Sequence, residues 1–221
     1  MFVFSWWFPQ GVKRFIYQAL DMKNNNTTAL ITFIKNPEKG KVKTRIAATV
    51  GDDKALAIYK ALMEHTRNVA LATNTNRLLF YSEQINFKDK WSNEDFQKAL
   101  QAEGDLGDKI KNAFATAFEQ NEKVVIIGSD CASLTPDIVS DAFAKLEDHD
   151  FVIGPAMDGG YYLVGMSYFE PSLFENITWS TDSVFPDTMK VIEGLGKTCG
   201  LLPELSDIDF EEDWERWGWE I

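Results

Sequence analysis

The chain has 221 residues, of which 45% are hydrophobic and 25% charged, and its formal net charge is −12. That length and apolar content suit one domain with a core of its own and exclude global disorder. The acidic balance argues against general nucleic-acid binding, which needs a basic face, but leaves room for a nucleotide if a metal or local cations offset its phosphates.

Residues 1–25 read as an N-terminal extension and 26–221 as the domain. Phe2, Val3, Phe4, Trp6, Trp7 and Phe8 form an aromatic cluster ahead of Pro9, Gly11, Lys13 and Arg14. The run is too short to span a bilayer and lacks the cationic lead of a signal peptide, so no transmembrane segment is expected. It is a loose extension, a membrane-surface anchor, or a stretch upstream of a start at Met22. The last reading is preferred, because Met22-Lys-Asn-Asn-Asn-Thr-Thr is a polar lead-in to a first strand.

Ala29-Leu-Ile-Thr-Phe-Ile34 is that strand. A loop with Pro37 and Gly40 as breakers follows, crowding Lys35, Lys39, Lys41, Lys43 and Arg45 into an acidic protein. Strand, glycine-bearing loop and helix together bring backbone N–H groups and cations to a phosphate. Lys43 and Arg45, one residue apart, point the same way if the loop is extended. Arg offers a forked contact to phosphate and Lys a point charge. The plainer reading is a solvated charged loop, and the spacing is not that of a Walker A motif.

A helix is expected from about Asp52, with Leu56, Tyr59, Leu62 and Met63 on one face, then a strand over Leu78 to Tyr81. Glu83 to Trp91 is polar and irregular. Gly104-Asp105-Leu106-Gly107 leads into a helix burying Ile110, Ala113, Phe114 and Ala117. Val124-Val125-Ile126-Ile127 is apolar on both faces and reads as a central parallel strand. It stops at Gly128-Ser129-Asp130-Cys131, and Thr135-Pro136 then starts a helix as N-cap and first helical residue. Asp130 therefore sits just past the carboxyl end of a buried strand, the edge along which open α/β sheets bind ligands.

Phe151-Val152-Ile153 is a further strand. Asp158-Gly159-Gly160-Tyr161-Tyr162 is a turn that becomes another, and Trp179 precedes a short helix. Thr198 to Leu202 is a late strand, and Ser206-Asp207-Ile208-Asp209 opens an acidic terminal helix with Trp214 and Trp217. Strands alternate with helices throughout, so one α/β domain with a mainly parallel sheet is expected. Cys131 and Cys199 stand far apart in no ligand spacing, which makes a reducing, cytoplasmic location the default and a zinc site unlikely to be the chemistry. His65 and His149, the only histidines, fall in polar helical surroundings and read as surface residues.

Three groups carry chemistry. The cationic loop is one. The carboxylates Asp130, Asp158, Asp207 and Asp209 are another, because Mg2+ or Mn2+ takes one or two carboxylates together with phosphate oxygens and water. Asp130 has the plainer role of capping a loop, and Asp207 and Asp209 that of capping the helix at Phe210. The third is Gly159-Gly160-Tyr161 with Trp179. Paired glycines let a backbone pass close to a ligand and aromatics stack on sugar or base; otherwise these residues are a hairpin turn and a core aromatic.

Lys35-Asn-Pro-Glu-Lys-Gly-Lys-Val-Lys-Thr-Arg45, Gly104-Asp-Leu-Gly107, Gly128-Ser-Asp-Cys131 with Leu134-Thr135-Pro136, Gly154 to Gly165, Trp179-Ser-Thr181 and Asp207-Ile-Asp209 occur in one order. Together they resemble a bacterial family of glycosyltransferase-A-like proteins, formerly a domain of unknown function. Its members are described as radical-SAM/selenodomain-associated transferases and arsenosugar-biosynthesis glycosyltransferases. The resemblance runs from about Thr28 to Trp214. It implies a single-domain nucleotide-diphospho-sugar transferase fold with helices on both faces of the sheet. Lys35, Lys43 and Arg45 would face nucleotide phosphates, Asp130 would take the place of the metal-binding carboxylate, and Asp158 would lie near the transferred group. Ala132 stands where the family usually has proline, and Ala102-Glu103 replaces a more glycine-rich approach to Gly104; neither removes a charge.

The function expected is metal-dependent glycosyl transfer from a nucleotide sugar to a small-molecule acceptor. The catalytic residue would be Asp158, the substrate residues Gly159, Gly160, Tyr161 and Trp179, and the metal residues Asp130, Asp207 and Asp209. Nucleotidyl transfer, joining an NTP to a sugar phosphate or phospho-acid, is the alternative, and non-catalytic nucleotide binding a third.

Overall fold

Apolar runs form strands that bury both faces, and the computed structural model, which describes residues 27–221, joins such runs with shorter edge strands in one seven-stranded sheet. The extension expected over 1–25, with Met22 as a start, lies outside the described residues. In chain order the elements are β1 (Thr28–Ile34), α1 (Thr44–Val50), α2 (Asp52–Ala72), β2 (Asn76–Tyr81), β3 (Gln97–Leu100), α3 (Leu106–Phe118) and β4 (Lys123–Ile127). Then come α4 (Pro136–Lys145), β5 (Phe151–Pro155), β6 (Tyr161–Met166), a 3-10 turn (Pro171–Phe174), α5 (Val184–Gly194), β7 (Cys199–Leu201) and α6 (Glu211–Trp217). Among the described residues no helix is long and apolar enough to cross a membrane.

The strand order is β3-β2-β1-β4-β6-β5-β7. β1 pairs in parallel with both β2 and β4, β2 with β3, and β5 with β7, so the sheet is mainly parallel as expected. β6 runs antiparallel to β4 and β5. A parallel return needs a crossover of a dozen or more residues, and only Ala156 to Gly160 separate β5 from β6, so a hairpin is the sole closure.

Side chains alternate between two cores. Leu30, Ile34, Val125, Ile127 and Val152 pack with Tyr59 and Met63 of α2 and Val139 and Ala142 of α4. Ala29, Ile31, Val124, Ile126 and Phe151 pack with Ile110 and Phe114 of α3 and Ile192 of α5. Helices thus cover both faces. Thr135 caps α4, its hydroxyl accepting from Ile138 N at 3.3 Å, with Pro136 in the first turn; such a cap contributes about 1 kcal/mol.

Three local expectations are corrected. The stretch Gln97–Leu100, unassigned from sequence, is an edge strand paired with β2 through its backbone; it lacks β-branched residues and half-faces solvent, so it carries no periodic signal. The cationic loop ends early: Thr44–Val50 form α1, Lys43 is its N-cap, and Arg45 lies in its first turn rather than in an extended loop. Its β-branched Thr44, Ile46, Thr49 and Val50 conceal the helix from propensity. His65 and His149 are half-buried rather than surface residues, His65 with Nε2 2.8 Å from the Leu134 carbonyl and its ring against Trp219.

β1 is the pivot of the topology. The chain leaves it towards β2 and β3 on one side, then returns to lay β4 on the other. Connections diverge there, leaving a crevice at the carboxyl ends of β1 and β4, where an open α/β sheet receives its ligand.

Candidate functional site

Lys35 leaves β1 and Gly128-Ser129-Asp130 leaves β4 on the two sides of this crevice. Tyr59 of α2 holds them together from beneath. Its hydroxyl accepts from Lys35 N at 2.7 Å, lies 3.0 Å from the Lys35 carbonyl, and stands 3.4 Å from the hydroxyl of buried Ser129. Burial is the main cause that raises the Tyr59 phenol far above its ordinary pKa, with the Asp130 charge second, so it stays a neutral hydrogen-bonding group. Nothing in the periodicity distinguishes Tyr59 from the apolar residues beside it; the one signal is a polar tip on an inward helical face.

The third wall is a segment that follows β7 and crosses the strand ends. Leu202 N donates to the Ile153 carbonyl at 2.9 Å and Leu205 N to that of Pro155 at 3.1 Å. Cys131 and Asp207 form an antiparallel bridge, and Ile208 N donates to the Asp130 carbonyl at 2.9 Å. Asp207 and Asp209 are thereby laid against Asp130. Neither caps α6: the Asp213 carboxylate accepts from Asp209 N and Phe210 N at 3.0 and 2.8 Å. That leaves the carboxylates of Asp207 and Asp209 available to the crevice.

Lys43 and Arg45 meet Asp130 and Asp209. Lys43 Nζ is 2.6 Å from Asp130 Oδ1 and 3.7 Å from Asp209 Oδ1, and donates to the Ile208 carbonyl at 2.6 Å. Its side chain is only 6% exposed. Its backbone is left-handed, φ 48° and ψ 45°, which costs roughly 1–2 kcal/mol in a non-glycine residue; the contacts of the buried ammonium offset that. Arg45 Nη1 donates to Asp209 Oδ2 at 2.8 Å, and the guanidinium lies over the Phe210 ring. By contrast Lys39 pairs with Asp53 and Lys41 with Glu38, both at the surface. Lys35 has no carboxylate partner among the described residues and borders the crevice.

Two adjoining cavities occupy it. One of about 410 Å3 is mainly apolar, with Phe33, Ile110 and Tyr161 among its walls, and the other, about 280 Å3, is lined by Lys43, Thr44, Arg45 and Asp209. Lys35, Tyr59 and Asp130 border both.

The profile of the bacterial family described as "Uncharacterized protein conserved in bacteria (DUF2064)" matches residues 64–181, more than half of the chain. The chain belongs to this family. No curated protein matches the sequence at a significant level. Among solved structures, a candidate nucleotide-diphospho-sugar transferase from Desulfovibrio desulfuricans G20 is 30% identical, with 84% of this chain and 83% of that one covered and a TM-score of 0.80. Rv0371c of Mycobacterium tuberculosis H37Rv, solved with manganese, is 11% identical over 87% of this chain and 97% of that one, TM-score 0.53. The 4-diphosphocytidyl-2C-methyl-D-erythritol synthase of Anaerococcus prevotii DSM 20548 is 9% identical over 87% and 95%, TM-score 0.58. The last two share the fold with this DUF2064 chain.

Among the described residues no three or more His, Cys, Asp and Glu side chains converge as a ready metal cage. A divalent ion on a diphosphate needs only one or two protein carboxylates, and two features of the DUF2064 site suit it. Asp130 Oδ1 is buried with the Lys43 ammonium as its one charged neighbour, at 2.6 Å, while the side chain as a whole is 42% exposed and open to a ligand. The Asp207 carboxyl is pushed up to about 7, first by burial, then by the negative charges of Asp130 and Asp158, with Lys43 opposing. Carboxylates whose charges disfavour one another suit a divalent cation among them.

Asp158 is exposed, one oxygen accepting from Gly160 N at 2.9 Å, and its charge reaches Asp207. Gly159 and Gly160 shape this hairpin and border neither cavity. Gly159 has φ +88°, and a Cβ there would stand 2.3 Å from the Asp182 carbonyl oxygen. Gly159→Ala is expected to destabilise the DUF2064 chain by at least about 2 kcal/mol, read as a lower urea midpoint. Tyr161 lines the larger cavity. Trp179 stands behind it, edge-on to the Tyr161 ring at 6.3 Å and pressed on Gly107, where a Cβ would lie 2.4 Å from the indole nitrogen; it borders neither cavity.

Proposed function

We propose that the chain is a metal-dependent glycosyltransferase, moving the sugar of a nucleotide-sugar donor to a small-molecule acceptor. The observation that carries this reading is the meeting of Lys43 and Arg45 with Asp130 and Asp209 at the topological switch beside β1, within reach of the Asp207 charge. The similarity to the Desulfovibrio desulfuricans candidate transferase supports it. In this reading the mainly apolar cavity takes the nucleoside, and the diphosphate lies towards Lys35, Lys43 and Arg45. Asp130 and Asp207 would hold Mg2+ or Mn2+. When bound, the ion would neutralise charge on the diphosphate leaving group.

The chain's own residues supply the rest. As the bond between the sugar and the diphosphate breaks, its electron pair stays on the phosphate oxygen, and the Lys43 ammonium and Arg45 fork face that growing charge. Tyr59 fixes Lys35 and Ser129, so these loops need little reorganisation. Asp158 orients the acceptor hydroxyl and takes its proton; one of its oxygens is held by Gly160 N and the other is left for the acceptor. Arg45→Gln is expected to weaken binding of a nucleoside diphosphate about tenfold, read by calorimetry at constant ionic strength. The assignment itself is tested by incubating the protein with UDP- and other NDP-sugars and Mn2+. Release of the nucleoside diphosphate with loss of the sugar supports it.

Nucleotidyl transfer is the second reading, and the specific observation favouring it is the ring of Lys35, Lys43 and Arg45 around one polar cavity, which suits a triphosphate. Pyrophosphate release from an NTP in the presence of a sugar phosphate, with no turnover of NDP-sugars, would establish that reading in place of the first.

A further inference from the structure

A third cavity, of about 630 Å3, lies outside the crevice, between α2 and the connection from β2 to β3. It shares no lining residue with the first two cavities. Its boundary with them is the end of β1: Lys35 borders the crevice, while Asn36 and Pro37 wall the third cavity. Asn36 is a fixed partition. It is buried, its side-chain oxygen accepts from Glu83 N and Gln84 N at 3.1 and 3.2 Å, and its amide donates to the Gln84 carbonyl at 2.8 Å.

The charge of this cavity runs against that of the chain. Lys60, Arg67, Lys88 and Lys90 line it, with Glu64 and Asp89. Asp89 is already satisfied: it pairs at 2.9 Å with Lys98, whose side chain is 2% exposed, and accepts from the Tyr81 hydroxyl at 2.6 Å. Glu64 pairs with Lys90 at 2.7 Å. Lys60 and Lys88 have no carboxylate partner among the described residues. Arg67 is under-used. Its Nε is buried without an acceptor, one terminal nitrogen reaches the Lys90 carbonyl at 3.2 Å, and the other is spread over Glu64 and Asn68 at 3.5 and 3.4 Å. A guanidinium presents five donors in a rigid fork that suits phosphate, and a buried donor without a partner carries its desolvation cost unreturned. Cations in excess in one concavity of a protein with net charge −12 concentrate anions there.

We propose that this cavity is a second ligand site, for a small phosphate-bearing molecule of sugar-phosphate size. Arg67 receives the phosphate from the floor, and Lys60 and Lys88 receive it from the rim. The volume exceeds what a bare phosphate fills and falls in the range of small-molecule sites. Buried Met63 and Trp91 supply an apolar wall for the body that carries the phosphate. The site stands independently of the transferase reading, because its residues are separate.

The test is a titration of the 15N-labelled protein with D-ribose 5-phosphate, followed by the indole N–H resonance of Trp91, with inorganic phosphate in a parallel arm. In the wild type this resonance shifts saturably with the sugar phosphate and with higher affinity than with phosphate alone. Arg67→Gln removes the shift, and the double substitution Lys60→Gln with Lys88→Gln raises Kd at least fivefold. Arg45→Gln leaves it unchanged. Lys60 and Lys88 are exposed, so their variant keeps the test decisive if Arg67→Gln fails to fold. The proposal is overturned if the wild type gives no saturable shift, if the double variant binds as the wild type does, or if Arg45→Gln removes the response.

Discussion

Asp130→Asn is expected to weaken metal-dependent binding of a nucleotide sugar at least about a hundredfold, roughly 2.7 kcal/mol. Asparagine keeps the shape of the side chain and removes the charge. Asp130 lies just past the carboxyl end of β4, the strand paired with β1, and its backbone is held there by Ile208 N and by the bridge of Cys131 with Asp207. One of its oxygens is buried against the Lys43 ammonium at 2.6 Å. The substitution removes a negative charge from the place a divalent ion would take and leaves Lys43 with Asp209 as its remaining carboxylate, at 3.7 Å. Calorimetry with UDP-sugars and Mn2+ reads the first effect; a urea titration without metal reads the second, expected as a loss of about 1–3 kcal/mol from a nearly buried ammonium. An unchanged Kd in a variant that folds would remove Asp130 from the site and, with it, the metal-dependent mechanism.

The second large effect is expected at Asp207, and its sign is opposite in stability. The carboxyl titrates near 7 in the folded chain and near 3.9 when unfolded. Below about pH 4 it is protonated in both states. Between these values the folded state holds a proton that the unfolded state has lost, so stability falls as pH rises through the interval. Three pK units correspond to about 4 kcal/mol, and solvent contact of the half-buried residue reduces this to about 2 kcal/mol. Asp207→Asn removes the dependence. At pH 8 without metal the variant is therefore expected to be the more stable protein by about 2 kcal/mol, with the gap closing towards pH 4, in parallel urea melts. Mn2+ acts the other way: it stabilises the wild type at pH 8, because it takes the deprotonated carboxylate, and adds little to the variant. A variant that is no more stable than the wild type at pH 8 would mean that Asp207 carries no such strain. This is the expected trade of a binding site, where charges held together for a ligand cost the empty protein stability.

Much of the fold is legible in the chain because the signals are local. Val124 to Ile127 reads as a buried strand from its apolar run, and Thr135-Pro136 reads as a helix start from hydrogen-bonding and φ preferences that act within four residues. The placement of Asp130 past a strand end and the crowding of Lys43 and Arg45 near β1 follow from the same reasoning. The ordered motif set points to the family, which the match over residues 64–181 establishes. The edge strand β3 escapes it, since its pairing with β2 is made by backbone groups that any side chain permits.

Tertiary structure alone decided which of these pieces meet. Backbone hydrogen bonds are alike in every strand, so no local pattern states that β4 lies beside β1 or that β6 sits between β4 and β5. The helix α1 and the left-handed Lys43 at its start are held by contacts with Asp130, Ile208 and Asp209, far away in sequence. Asp209 joins the crevice, with Asp207 beside it, because the segment after β7 bonds across the ends of β5 and β4. Tyr59 becomes a tie between two strand ends only when α2 packs beneath them. Residue type sets what each group is able to do, by local forces; which groups act together is set by long-range packing, whose free energy is shared over the whole core and written in no single stretch of the chain.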